Sequence, residues 1–524
     1  MRRKFYLAFA IVLLAIALFL TMFHDLRWFS VIIVPLVIIG LYDFFQRSHT
    51  ILRNFPILGH IRFLLEFIRP EIQQYFIASD HSERPYDREA RSIVYQRSKN
   101  VRDTIPFGSD QEFSQPGYEW LLHSLSPKHV SEVEPRIVVG GKHCTQPYCA
   151  SRLNISAMSF GALSANAVMA MNKGAKIGNF AQNTGEGGLS EYHLQGGDVI
   201  WQIGTSYFGC RDNNGKFDAK EFVAEATRPE VRMIEIKLSQ GAKPAHGGIL
   251  PGAKLTAEIA RIRKVPMGQD VLSPAAHTAF STPEGLLQFV QELRVLSGGK
   301  PVGFKICIGR RSEFLGICKA MLKTGLLPDF ITVDGAEGGT GAAPLEFANH
   351  VGTPLNEGLL FVHNALMGIG VRQDIRIIAA GKIATGFDMV SKMALGADMC
   401  NAGRAMMMAT GCIQSMQCNT NMCPTGVTTQ DKRLQRGLVV EEKQHRVAHY
   451  HANTLHSFLE LIGAMGLDNP SDINPAYVMR RIDTQHFEPY NKVFEYLESG
   501  ALLGSSVPAS FKKHWDLAQA ERFH

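Results

Sequence analysis

The stretch IRIIAAGKIATGFDMVSKMALGADMCNAGRAM, Ile375 to Met406, carries the pattern on which the architecture turns. An apolar, β-branched run ends in a glycine turn, a helical stretch follows, and a second apolar run ends in a second glycine turn. Nearly continuous apolar strands alternating with helices predict a parallel sheet buried on both faces. Working outward, the same grammar recurs in NISAM (Asn154–Met158), KIGNFAQNT (Lys176–Thr184), VIWQIG (Val199–Gly204), VRMIEIKL (Val231–Leu238), VGFKICIG (Val302–Gly309) and FITVDG (Phe330–Gly335). With the two runs quoted first, that makes eight units over about 250 residues, which suits a (β/α)8 TIM barrel spanning 151–430. A doubly wound open sheet would alternate in the same way, but no dinucleotide-type GxGxxG follows a strand.

Outside the barrel the chain reads differently. FYLAFAIVLLAIALFLTMF, Phe5–Phe23, is a charge-free run about long enough to cross a bilayer as a helix. WFSVIIVPLVIIGLY, Trp28–Tyr42, is shorter and interrupted by Pro35. A cleaved signal peptide would have a shorter apolar run and a small-residue cleavage site. Residues 1–47 are therefore expected to form a two-helix transmembrane anchor. Its RRK and QRSHTILRN flanks put both ends, and the catalytic portion, on the cytoplasmic side of the inner membrane; were the second, shorter run not to cross, the catalytic portion would lie outside. Residues 48–150 read as an amphipathic and extended lead-in, in which Ile51–Phe76 would lie along the membrane surface or pack on the main domain. Residues 431–524 read as a helical region, with Val447, Tyr450, Leu455, Phe458, Leu459 and Ile462 on one apolar face. Overall composition is that of a globular protein, 45% hydrophobic and 19% charged. The net charge of +6 comes without a basic run interleaved with aromatics, which argues against a nucleic-acid partner. Scattered cysteines suit a reducing compartment.

In such a barrel a phosphate docks at the loops after the last two strands. Here they read AAGKIATG (Ala379–Gly386) and NAGRAM (Asn401–Met406). Gly381 and Gly403 would let backbone N–H groups approach phosphate oxygens, and Arg404 supplies a planar cationic fork. The pair points to a phosphorylated ligand such as flavin mononucleotide (FMN); glycine turns that merely close the barrel are the alternative. Directly afterwards, CIQSMQCNTNMCPTG places Cys412, Cys418 and Cys423 within twelve residues. Structural zinc takes four protein ligands, and this segment has no fourth cysteine or close histidine. A three-iron, four-sulfide ([3Fe-4S]) cluster needs only three thiolates, and a proline after the last cysteine recurs in ferredoxin-type runs. Iron–sulfur cluster, zinc completed by a remote residue and buried structural thiols all remain open on the spacing alone.

GCIQSMQCNTNMCPTGVTTQD resembles the cluster segment of glutamate synthases, and the similarity continues through five further motifs. These are ISAMSFGALS (Ile155–Ser164), NTGEGG (Asn183–Gly188), IEIKLSQGAKP (Ile234–Pro244), DGAEGGTGAAP (Asp334–Pro344) and AAGKIATGFD (Ala379–Asp388). More narrowly, the chain is similar to membrane-anchored, FMN-binding glutamate-synthase-like proteins that keep only the barrel. The resemblance implies FMN and a [3Fe-4S] cluster on Cys412, Cys418 and Cys423. It sets Ala157, Met158 and Ser159 under the flavin ring, and Asn183, Gln202 and Lys305 at its polar edge. Gly381, Gly403 and Arg404 would hold the phosphate. It makes Lys305 and Glu186 the catalytic candidates, and Lys243, Arg263 and Glu186 the binders of a 2-oxoglutarate-like substrate. The implied reaction reduces the imine of 2-oxoglutarate and ammonia to glutamate.

Three departures qualify this. Glutamate synthases read approximately GEGGQLPG where this chain has AHGGILPG, so His246 replaces a glutamate and Ile249 a glutamine. The phosphate-loop lysine is displaced to Lys382, with Ala384 in its usual place. Neither an amino-terminal cysteine nucleophile nor a pyridine-nucleotide domain is read. Ammonia is therefore expected from solution or a partner, and electrons from a separate donor such as ferredoxin. Two other readings stand beside this one: a flavin and iron–sulfur enzyme for another small amine or oxo acid, and a membrane electron-transfer protein. Oligomeric state is open, a homo-oligomer included.

Overall fold

The computed structural model describes residues 30–101, 104–129 and 136–523. The chain divides into two compact units between Arg88 and Glu89.

In the second unit eight parallel strands close into a barrel. They are β1 (Leu153–Ile155), β2 (Ala181–Asn183), β3 (Asp198–Ile203), β4 (Val231–Lys237), β5 (Val302–Ile306), β6 (Phe330–Asp334), β7 (Arg376–Ala380) and β8 (Met399–Ala402). Each strand pairs with its neighbours in sequence, and β8 closes on β1. All eight expected units are strands, although several are shorter than their motifs. KIGN belongs instead to the end of helix α1 (Ala165–Gly178), where Asn179 adopts a left-handed cap at φ 53°. The Ser164 side chain starts that helix by accepting the Ala167 N–H.

The side-chain period of two along each strand sorts the barrel interior into layers. Ala181, Ile200, Met233, Phe330, Ile378 and Met399 form an apolar floor. A hairpin, Ile137–Val139 paired with Tyr148–Ala150, seals it from below with Ile137, Val139, Tyr148 and Ala150. Each buried large side chain of this floor contributes on the order of 1.5–3 kcal/mol. Two residues further along the strands, the same inward positions are Asn183, Gln202, Glu235 and Thr332. The barrel turns polar at its carboxyl end.

Helix α2 (Val440–Ala464) braces the outside. All six residues expected on its apolar face are buried. His451 stacks on Phe180 with ring centroids 3.8 Å apart and bonds Ser151 Oγ and Leu153 O. The Tyr450 hydroxyl donates to Ala384 O in the loop after β7. The carboxyl-terminal region is not wholly helical. Val478–Arg481 and Phe487–Pro489 form an antiparallel sheet with Glu119–Leu121, a pairing across more than 350 residues that local pattern could not disclose.

The first unit contains helices Ser30–Phe45, Thr50–Asn54 and Gly59–Ile72. Buried Asp43 ties them by accepting from Ile57 N and pairing with His60 Nε2, both at 2.9 Å. The first run of the expected membrane hairpin, Phe5–Phe23, lies outside the described residues. The second is a sixteen-residue helix containing Pro35. Among the described residues no helix is long and apolar enough to cross a membrane.

Candidate active site at the barrel mouth

Glu235 is the hub of the polar layer. It sits on β4, 1% exposed, in the otherwise apolar run MIEI. Its Oε2 accepts from Asn183 Nδ2 at 2.8 Å and Gln202 Nε2 at 2.6 Å, and its Oε1 from the Thr332 hydroxyl at 2.6 Å. A buried carboxylate costs free energy unless such donors surround it. It thereby fixes the two amides expected at the flavin's polar edge. Asn183 Oδ1 is also engaged, by Gly185 N at 3.0 Å.

Above this layer Lys305, at the end of β5, pairs with Asp334 Oδ2 at 3.0 Å. Burial works against the ammonium, but Asp334, Glu235 and Glu186 outweigh it and raise its pKa. Lys305 therefore stays charged. Ala157, Met158 and Ser159 run half-buried over the mouth after β1. They lie directly on Gly185, which has φ 63°; a Cβ there would come within 2.7 Å of Ser159 N. Only glycine permits both the dihedral and the approach.

The loops after β6, β7 and β8 converge beside this bed. Gly381 has φ 145°, and a Cβ on it would fill the space beside Gly335 N, at 3.5 Å. Gly403 faces Ser156. The Arg404 guanidinium donates to Glu337 O at 2.5 Å and lies along Gly339, so the β6 loop orients it. Lys382 takes φ 51° in the same turn. A cradle of backbone at Gly335, Gly381 and Gly403 with a guanidinium alongside fits a phosphate, and the half-buried bed with a cation at its polar edge fits a flavin ring.

A second charged group faces the bed. Glu186, in the loop after β2, pairs with Lys237 Nζ at 2.5 Å, and Lys243 and Arg263 also face it. Burial raises its carboxyl, but these three cations prevail and hold it below the usual carboxylate range. The carboxylate is wedged between the backbones of Gly204 and Gly248; a Cβ on either would come within 2.6 Å of its oxygens. Lys243 Nζ donates to Ala342 O at 2.8 Å. Burial, and then Lys237, push it down to about 8 against the pull of Glu186. Arg263 donates through Nη2 to Phe160 O and lies over the Phe208 ring at 5.1 Å. Burial lowers its pKa to about 10. Its buried Nε has no partner among the described residues, and a buried guanidinium nitrogen in that state calls for an acceptor. A recess of about 10 Å³ opens among Glu186, Lys237, Ser239 and His246. The His246 ring meets Phe347 edge-on at 5.1 Å.

The cysteine loop follows β8. Tyr95 O–H donates to Cys412 O at 2.9 Å, and Gln414 N–H points at Cys412 Sγ, 3.4 Å away. Burial pushes the Cys412 thiol up to about 12, and Cys418 and Cys423 add to the rise. Cys423 differs: burial raises it, but hydrogen bonding around the sulfur, including the Thr425 hydroxyl at 3.5 Å, brings it below the usual thiol value. Among the described residues no three His, Cys, Asp or Glu side chains form a ready-made site for a metal ion. Three cysteines from one loop, Cys412 within the influence of the other two, still fit an iron–sulfur donor set in kind.

Every expected site residue of the barrel is thus at the carboxyl end, in two groups: a half-buried bed and glycine cradle beside Lys305 and Arg404, and a cationic recess around Glu186. Sequence reading missed Glu235, Lys237 and Asp334. The signal was present, since a carboxylate inside a buried apolar strand needs partners. It also missed a second tier in which Thr278 and Ala279 N–H donate to the Tyr207 hydroxyl. That hydroxyl meets His277 Nδ1 at 3.1 Å, and His277 Nε2 meets Lys237 O at 2.9 Å. This tier pins the strand end that carries Lys237.

Residues 119–468 match the family model described as the conserved region in glutamate synthase. The chain is 38% identical over 497 residues to the glutamate synthase large subunit-like protein YerD of Bacillus subtilis, covering 86% of this chain and 94% of YerD. It is 37% identical to the archaeal glutamate synthase [NADPH] of Methanocaldococcus jannaschii, over 60% of this chain and 59% of that one. To ferredoxin-dependent glutamate synthase 2 of Synechocystis it is 32% identical, over 70% of this chain but 23% of that enzyme. The match therefore spans nearly all of YerD but only part of the archaeal and ferredoxin-dependent enzymes. With the match extending from the sheet strand at Glu119 through the barrel, the cysteine loop and the bracing helix, the chain belongs to the glutamate synthase family of oxidoreductases.

Proposed function

We propose that the chain is a flavin and iron–sulfur oxidoreductase that reduces the imine of 2-oxoglutarate and ammonia to glutamate. The observation that carries this reading is the charge around Glu186. Lys237, Lys243 and Arg263 face one carboxylate, an excess of two positive charges, which suits a dicarboxylate that loses water on entry. Bound at the mouth, FMN would supply a hydride to the imine carbon, and a [3Fe-4S] cluster on Cys412, Cys418 and Cys423 would supply its electrons singly from a ferredoxin-type donor. Lys305 offsets the negative charge that reduction develops at the polar edge. Lys243 and Arg263 orient the two carboxylates over the bed at Ala157–Ser159. Glu186, kept as a carboxylate, accepts N–H groups of the iminium nitrogen and stabilises its charge.

The test is an anaerobic assay of the holoprotein with reduced ferredoxin, 2-oxoglutarate and ammonium. Glutamate should form; its absence, with a flavin that still cycles, rejects this substrate. A second reading, the same chemistry on another small oxo acid or amine, is favoured by His246 and Ile249, which supply a ring and an aliphatic side chain where the family has polar anchors. A panel of 2-oxo acids with ammonium, scored by reoxidation of the reduced flavin, separates the two. A third, electron transfer without turnover, predicts reoxidation by none of them.

We also infer attachment to the inner membrane through the amino-terminal hairpin, with the barrel in the cytoplasm. Supporting this are the charge-free run Phe5–Phe23 and the exposed Ile32, Ile38, Leu64, Phe67 and Phe76 of the first unit. Release of the full chain from membranes by alkaline carbonate would reject it.

A further inference from the structure

Lys254 lies in the short turn Gly252–Lys254. Its side chain is buried, 3% exposed, yet among the described residues the groups facing it are Cys418, Cys423 and the Arg263 guanidinium, with no carboxylate. Its ammonium donates to two carbonyls, Ala162 O at 2.5 Å and Cys418 O at 3.3 Å. These belong to different loops. Ala162 lies in the turn just beyond the bed at Ala157–Ser159, and Cys418 is the middle cysteine. The same two loops are stitched by Ser164 N to Val427 O at 2.9 Å, and by Gln430 Nε2 to Gly161 O and Leu163 O. Asn421 Nδ2 fastens the cysteine loop to Ala253 O at 3.1 Å.

A buried ammonium with only carbonyl acceptors lacks a counter-charge, and an ion in that state is costly. The anion that would complete the site is the one the cysteines would build. Three thiolates and four sulfides outweigh the charge of three ferric ions, so the cluster is negative when oxidised. One added electron makes it more negative still, with no bond formed or broken.

We propose that Lys254 is the counter-charge of the cluster: it favours the reduced state and so raises the cluster's potential. The proposal rests on the reading that Cys412, Cys418 and Cys423 carry an iron–sulfur cluster. Its carbonyl bonds hold the charge between the electron-accepting loop and the flavin loop, where the low dielectric makes a fixed cation effective.

The experiment uses full-length holoprotein prepared anaerobically. Iron and acid-labile sulfide are measured first, then the cluster is titrated with dithionite through redox dyes, followed by electron paramagnetic resonance. Lys254→Gln keeps a hydrogen-bond donor but removes the charge; Lys254→Arg keeps the charge. Lys254→Gln should load iron normally, but at the native midpoint its reduced-to-oxidised ratio should fall at least tenfold, a shift of about 59 mV for one electron. Lys254→Arg should stay within about threefold of native, consistent with a shift below that of one decade. A Gln variant that loads fully and titrates at the native potential overturns the proposal. If Gln fails to load iron while Arg loads, the charge serves cluster assembly rather than potential and the proposal falls. If both fail, Lys254 is a structural clamp and the proposal falls. A native protein without iron and sulfide would instead overturn the reading of the cysteines, before any variant is compared.

Discussion

The floor and the mouth of the barrel use the same strands, two residues apart, for opposite ends. Met233 and Phe330 lie in the apolar floor; Glu235 and Thr332, the next inward positions on the same strands, bond each other. The floor is held by packing, which is indifferent to the identity of its neighbours provided volume is conserved. The mouth is held by specific donor and acceptor pairs, and one lost partner leaves others buried and unsatisfied. Stability and binding are thereby separable on a single strand, and substitutions can show it.

The largest effect is expected in the floor. Phe330→Ala should cost about 3–5 kcal/mol in urea unfolding, while the protein that remains folded keeps its flavin affinity within a few-fold. Glu235→Leu should do the reverse: a smaller loss of about 1–3 kcal/mol, with a marked fall in flavin affinity, because Asn183, Gln202 and Thr332 lose their common acceptor. Equal loss of flavin in both variants would break the distinction.

The smallest effect concerns pH. Burial sets the Lys243 pKa at about 8, below its ordinary value of 10.5. The unfolded chain therefore binds more protons at this site between those values, so the Lys243 contribution to stability rises with pH across that window. Dicarboxylate affinity runs the other way, since it needs the ammonium. It should weaken above pH 8 by at most about tenfold per unit, and Lys243→Arg should flatten the profile to about pH 10, a difference of about 1.4 kcal/mol per decade. Calorimetric titration with 2-oxoglutarate from pH 7 to 10 checks both; an identical profile in the Arg variant would remove Lys243 from the carboxylate site.

Much of the barrel was legible because its signals are local. Each apolar run announced a strand and each glycine turn its carboxyl end, and Asn183, Lys305, Gly381 and Arg404 all lie at the mouth. The edges were less legible: KIGN was absorbed by α1, since the left-handed cap at Asn179 rather than hydrophobicity decides where that helix stops. Glu235 escaped notice because an isolated carboxylate in MIEI looks like an exposed position until the three donors from other strands are seen.

By itself, the order of residues determined the eightfold alternation, the glycine loops after the last strands and the three-cysteine spacing, all of which depend on neighbours within a turn or two. Only the closed barrel decided that Glu186 meets Lys237, Lys243 and Arg263, that Glu235 gathers three donors, and that Lys254 stands between Ala162 and Cys418. Charge compensation and hydrogen-bond satisfaction act through space between distant segments. They take their value from burial, which no local stretch of sequence specifies.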